Sequence, residues 1–253
     1  MTHDQKEPEK EKDVQPTMRQ GSGVIHSFLA LRKAVGGIAV ALPVALWWRH
    51  KGPVLTSISQ SYYTDVNALF VGFLCAIGVF LLFYRGYDGR DRVASLIAGI
   101  CAITVSQCPC GSDIHAPGLP VAAFWQWQNP YPAYLSALHY GAAAMMFGTL
   151  AYFCLVLFPK TDKSGCEGAR KLLRNRIYRI CGTIIVVTMA VAAVDKISGV
   201  LLHQRLLWDV GIYCVESTMI FAFGLSWAVK GESFAVLNDR TGAPANDLAR
   251  EPA

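Results

Sequence analysis

The chain has 253 residues, 53% of them hydrophobic and 16% charged, with a formal net charge of +5. Soluble domains carry about 25% charged residues. Here the charges sit at the two ends and in short loops between long apolar runs, which argues against a water-soluble protein. The same placement argues against nucleic acid as the reason for the positive balance, because basic residues flanking apolar runs suit anionic lipid headgroups.

Residues 1–23, MTHDQKEPEKEKDVQPTMRQGSG, hold many charges and few large apolar side chains. They predict a disordered tail, taken here as residues 1–28. A secretory signal would place an apolar core near its start, so the first apolar run is expected to remain as an uncleaved anchor. Crossing a hydrocarbon core of about 30 Å takes roughly 20 apolar residues. Six runs approach that length: 29–48, 66–84, 93–108, 134–158, 180–202 and 207–229. The third is short and ends in polar Ser106 and Gln107. The fifth is interrupted by Asp195 and Lys196, so its helix is expected to stop near Val194. Residues 231–253 read as a second disordered tail. The expected fold class is all-α: a polytopic transmembrane helical bundle of about six helices over 29–230. A large soluble helical bundle fits less well, because several runs exceed the usual length of soluble core helices.

Orientation follows from the basic residues. The N-terminal segment, the second and fourth loops and the C-terminal tail together carry 19 of the 23 Lys and Arg residues. Only Arg49, Lys51, Lys196 and Arg205 fall on the other side. The expected topology therefore has both termini in the cytoplasm. Trp47, Trp48, Trp125, Trp127 and Trp208 fall near the predicted outer ends, where indoles favour the headgroup zone. The outer loop 109–133 is aromatic and nearly uncharged, and is expected to lie on the membrane surface.

The cytoplasmic basic segment 160–179 contains GARKLLRNRIYR. It reads either as an amphipathic stretch meeting anionic headgroups, with Leu172, Leu173 and Ile177 towards lipid, or as a plain topology signal. Membrane lipids are the expected partners, with no nucleic acid. The RGYDGRD segment reads as a charged cytoplasmic turn. Gly141, Ala144 and Gly148 share a face of the fourth helix, as Gly72 and Ala76 do on the second, which predicts close helix packing there. Of the eight cysteines, five lie inside apolar runs and read as small hydrophobes. Cys108 and Cys110 form a lone C-x-C, which is weak evidence for metal or redox chemistry.

Ionisable groups inside a bilayer are costly and usually face the bundle interior. Asp209, Tyr213 and Glu216 form one stripe on the sixth helix, with Glu216 near mid-membrane. His139 lies in the outer third of the fourth helix. Ser59, Tyr62, Tyr63 and Asp65 belong to or follow the run SISQSYYT. Together these eight residues are the binding-pocket candidates. For Glu216 and His139 the alternative is a hydrogen bond to a neighbouring helix. His139, His203, Asp209 and Glu216 could hold zinc, although no ligand spacing such as HExxH or His-xxx-His forces it. There is no G-x-S-x-G elbow, P-loop or Rossmann glycine pattern.

The stretches SISQSYYT, FVGFLCAIGVFLLFYRGYD, FGTLAYFCLVLFPKT, RNRIYRICG and ESTMIFAFGLSWAVKGE resemble a family of uncharacterised bacterial six-helix membrane proteins. The resemblance covers most of residues 30–232 and implies a bacterial plasma membrane. It places Tyr62, Tyr63, Arg85, Gly86, Arg176, Tyr178, Arg179, Glu216, Trp227 and Lys230 at motif positions. A looser similarity links the chain to the CREST superfamily of membrane hydrolases, which includes alkaline ceramidases. Those enzymes set a serine, an aspartate and three histidines around a zinc. This chain has six predicted helices rather than seven and lacks the terminal His-xxx-His.

Three functions are compatible with these residues. The first is a non-enzymatic sensor, small-molecule binder or accessory subunit without a cofactor, with a polar pocket near Glu216, His139 and SISQSYYT that opens outwards. The second is a zinc-dependent lipid hydrolase, with Asp65 or Glu216 as general base. The third, a proton-coupled transporter relaying through Glu216, ranks last because no internal repeat is evident.

Overall fold

The structure is a computed structural model. It describes residues 14–84, 86, 88–108, 110, 133–160, 168–202, 206–207 and 211–238, with backbone alone for 14–28, Ala133 and Val200. The described residues are helical, without a strand, and form six α-helices: α1 (Val14–Arg49), α2 (Asn67–Phe83), α3 (Gly89–Gln107), α4 (Ala133–Tyr152), α5 (Ala169–Leu201) and α6 (Gly211–Lys230). Two short 3-10 helices, Ser59–Tyr63 and Ala235–Leu237, follow α1 and α6, and a π-helical turn, Phe153–Leu157, extends α4.

The chain is a polytopic helical membrane protein. Leu29–Arg49, Tyr134–Leu157, Ala169–Gly199 and Gly211–Lys230 are long and apolar enough to cross a membrane. α2 is a shorter apolar helix of 17 residues. Residues such as Val186, Val187, Val194 and Ile197 on α5 are exposed. In water such a face would be an aggregation surface, whereas in lipid it is at no disadvantage.

Each helix packs on its neighbours in sequence, and α6 closes back onto α1, so the six form a ring. Glycines set the closest approaches. A Cβ on Gly36 would lie 2.9 Å from the Gly224 carbonyl oxygen, and one on Gly224 would lie 3.0 Å from the Gly36 oxygen. α2 and α3 meet in the same way at Gly78 and Gly99. The stripes expected to pack behave differently: around Gly72, Gly141 and Gly148 an added Cβ would meet nothing within 4 Å. Small residues permit a close approach without requiring one, and here other glycines make it.

Several boundaries also differ from expectation. α3 starts at Gly89, inside the segment read as a turn, because Asp88 caps it. The Asp88 carboxylate accepts from the Arg90 and Asp91 amides at 3.0 Å each, and the Asp91 side chain accepts from the Asp88 amide. Lys160 then bridges Asp88 at 2.7 Å and Asp91 at 3.5 Å. Its hydrogen bond to Asp88 holds the Asp88 carboxyl below the usual carboxylate range and raises Lys160.

α5 does not stop near Val194 but runs to Leu201. Asp195 is buried without breaking the helix, because its Oδ1 accepts from the Leu206 and Leu207 amides at 2.9 and 2.8 Å. The helix thus folds the following segment against itself. At the N-terminus, α1 is helical from Val14 rather than beginning after residue 28. Pro16 falls in its first turn, where a missing N–H costs nothing. Residues 1–13 lie outside the described residues. The C-terminal segment is likewise ordered as far as residue 238. Arg170 and Arg174 of α5 donate to the Asn238 and Leu237 carbonyls at 2.6 Å each. Residues 239–253 lie outside the described residues.

Two clusters fill the ring. At the end shared by the α2 C-terminus and the α6 C-terminus, Trp227 is fully buried among Tyr84, Phe153, Phe158 and Phe223. Arg32 packs over the Tyr84 ring and donates to its hydroxyl at 3.3 Å. The other end carries the polar cluster described next.

Candidate functional site

The segment between α1 and α2 starts with no regular structure and needs partners for its backbone. Some come from its own side chains. The Gln60 Oε1 accepts from the Thr56 amide at 2.7 Å and the Thr56 hydroxyl at 2.9 Å, and the Gln60 amide donates to the Ser57 hydroxyl at 3.0 Å. The Asn67 side chain donates to the Tyr62 carbonyl. Others come from α6: the Tyr213 amide donates to the Thr56 carbonyl at 2.9 Å.

Glu216 meets this segment directly. The Ile58 amide donates to its Oε2 at 2.5 Å, and the Ser59 amide also donates to the carboxylate. These are two N–H groups at the start of the 3-10 helix Ser59–Tyr63, which has no helical acceptor for them. A carboxylate accepting them is a charge-assisted bond.

His139 reaches the same 3-10 helix from α4. Its ring is buried, with Nδ1 2.8 Å from the Cys108 carbonyl oxygen and Nε2 3.0 Å from Ser59 Oγ. A carbonyl can only accept, so Nδ1 carries the hydrogen, and in the neutral ring Nε2 accepts from the Ser59 hydroxyl. Cys108 follows the last residue of α3, where the carbonyl is no longer needed within the helix. The result is a hydroxyl, an imidazole and a carbonyl in line. Ser59 is half-buried.

The other candidates lie as follows. Tyr62 and Tyr63 are buried and pack edge to face, with the Tyr62 hydroxyl 3.4 Å from the Gln107 carbonyl. They are the last two residues of the 3-10 helix and bury its C-terminal end. Tyr213 is buried, and its hydroxyl donates to the Pro43 carbonyl of α1 at 2.5 Å. Asp65 is engaged separately, 2.5 Å from the His50 ring and 3.3 Å from the Lys51 amide. Slight burial works to raise its pKa, but His50 outweighs that and holds the carboxyl below its ordinary value. His203 and Asp209 lie outside the described residues, as do His115, Trp125 and Trp127.

Among the described residues no three His, Cys, Asp or Glu side chains are grouped to hold a metal. Both nitrogens of His139 are already engaged, so ligation by this ring would break one of its two bonds. Cys108 and Cys110 are unpaired thiols.

A groove of about 740 Å³ runs between α3 and α4, lined by Arg90, Val93, Ile97, Gly141, Met145 and Gly148 among others. It reaches Gly89 at the start of α3, whereas the polar cluster sits past the end of α3 at Cys108. The two are therefore separate features.

The sequence offers Ser59, His139 and Glu216 as members of one larger pocket set. It gives no sign of the Cys108 carbonyl and the Ile58 amide, because backbone groups leave no trace in residue identity. Comparison of the chain with protein-family models, with curated proteins and with solved structures gives no match.

Proposed function

We propose that this chain is a multi-pass protein of the bacterial plasma membrane that binds a small polar molecule at the outer end of its helical ring. The observation that carries this reading is the meeting of Ser59, His139 and Glu216, which come from three distant parts of the chain. Polar groups in a membrane bundle tend to mark functional positions. The excess of Lys and Arg beside Lys160 and Lys230 supports placing that end in the cytoplasm and the polar cluster outside. Exposed Trp47 and Trp48 at the end of α1 fit an outer headgroup zone. The resemblance to six-helix bacterial membrane proteins belongs to the same proposal.

Thermal unfolding of the detergent-solubilised protein against a panel of amino acids, ammonium compounds and polyols tests it. At least one compound is expected to raise Tm in the wild type and not in Glu216→Gln. A panel without effect on either protein counts against the binding role.

A further inference from the structure

We propose that Ser59 is an acyl-accepting nucleophile, with His139 as its base, acting on carboxylic esters presented at the membrane surface. This goes beyond binding, although it rests on the same cluster being reachable from outside.

Three observations carry it. The Ser59 hydroxyl lies 3.0 Å from His139 Nε2, within the reach required of a nucleophile and its base. The base is oriented by a third group, since Nδ1 is held at 2.8 Å by the Cys108 carbonyl, which leaves Nε2 as the acceptor. A carbonyl is uncharged and stabilises an imidazolium less than a carboxylate does, so a slow nucleophile is expected. Finally, the Ile58 and Ser59 amides beside the hydroxyl already hold a carboxyl oxygen, that of Glu216. Amides that hold a carboxylate oxygen next to an attacking serine have the chemistry needed for the oxyanion of acyl transfer. In the described state Glu216 stands in for that oxyanion and must give way when an ester enters.

The steps balance without a further co-reactant except water. Ser59 Oγ bonds to the acyl carbon while its proton passes to Nε2. The bond to the leaving alcohol breaks, and the alcohol takes that proton. Water then attacks the acyl-serine, gives a proton to Nε2, and the serine recovers it as the acid leaves. The substrate class follows from location. Ser59 is half-buried on the segment that follows α1, whose last turn carries the exposed Trp47 and Trp48, which suits an ester at headgroup depth with an apolar tail.

An alkyl fluorophosphonate is the probe. Oγ–P forms, P–F breaks, fluoride leaves and the proton remains on His139. Full-length protein in detergent is incubated with the probe and the adduct is located by mass spectrometry. The expected result is an adduct on Ser59, absent in Ser59→Ala and formed at least tenfold more slowly in His139→Asn. Size-exclusion profile and Tm select folded variants. No adduct on Ser59 in the wild type, or equal rates in His139→Asn, overturns the proposal. A Tm response to the polar panel that persists without any Ser59 adduct would leave binding standing and remove only the nucleophile.

Discussion

At the residue scale, His139 is the hinge of the polar cluster. It joins three segments that share no sequence proximity: α4, the end of α3 and the 3-10 helix after α1. Removing the ring leaves the Ser59 hydroxyl and the Cys108 carbonyl without their partner in a confined space. Leaving a buried polar group unpaired costs about 1–3 kcal/mol. His139→Ala is therefore expected to lower thermal stability in detergent by roughly that amount, and His139→Asn by less, because an amide can still donate to Cys108. Equal Tm values for His139→Ala and wild type would mean that the ring contributes nothing to holding the segment. His139 itself was legible in the sequence as an unusual polar residue in an apolar run. Its partners were not, because one is a carbonyl whose availability depends on where α3 ends.

At the element scale, the helices approach most closely at glycines that no repeating stripe announced. Gly224 of α6 meets the Gly36 oxygen of α1 within 3.0 Å of a hypothetical Cβ, and Val40 within 2.8 Å. Backbone on one side and a β-branched side chain on the other leave little room to yield. Overpacking of this kind typically costs about 1–3 kcal/mol, occasionally more. Gly224→Leu is expected to destabilise the protein strongly, whereas Gly148→Leu, facing open space, is expected to leave Tm nearly unchanged. Comparable losses at both sites would show that the Gly148 face is covered after all. The reason the sequence pointed to Gly148 and not to Gly224 is physical. Spacing along one helix identifies a smooth face, but which neighbour meets it depends on the crossing of two helices. The same limit applies to α5: Asp195 looked like a break, yet a carboxylate that caps the next segment can sit inside a helix.

At the scale of the whole molecule, fold class was the most legible property, because the length of an apolar run is dictated by bilayer thickness. The all-helical architecture follows from that constraint, and four of the six described α-helices are long and apolar enough to cross a membrane. Side-of-membrane assignment rests on the distribution of Lys and Arg. Reporter fusions check it: alkaline phosphatase inserted at residues 51–54 is expected to be active, and the same enzyme fused after residue 238 inactive. The reverse pattern would turn the polar cluster towards the cytoplasm and remove the basis for an external ligand. Which polar residues converge was far less legible. Ser59, His139 and Glu216 stood out as a dispersed set together with Tyr62, Tyr63 and Asp65. Only the folded chain separates those that meet from the tyrosines buried at the end of the 3-10 helix and the aspartate that pairs with His50.

The closure of α6 onto α1 has a consequence for biogenesis. Gly36 is synthesised long before the surface that fits it, around Gly224 and Ala228. During translation α1 must therefore wait in the bilayer with its contact face bare, covered by lipid tails or by the insertion machinery. Contacts this remote in sequence carry a large loop-closure entropy. The ring closes only when α6 arrives, and a nascent chain truncated before α6 leaves this face of α1 uncovered.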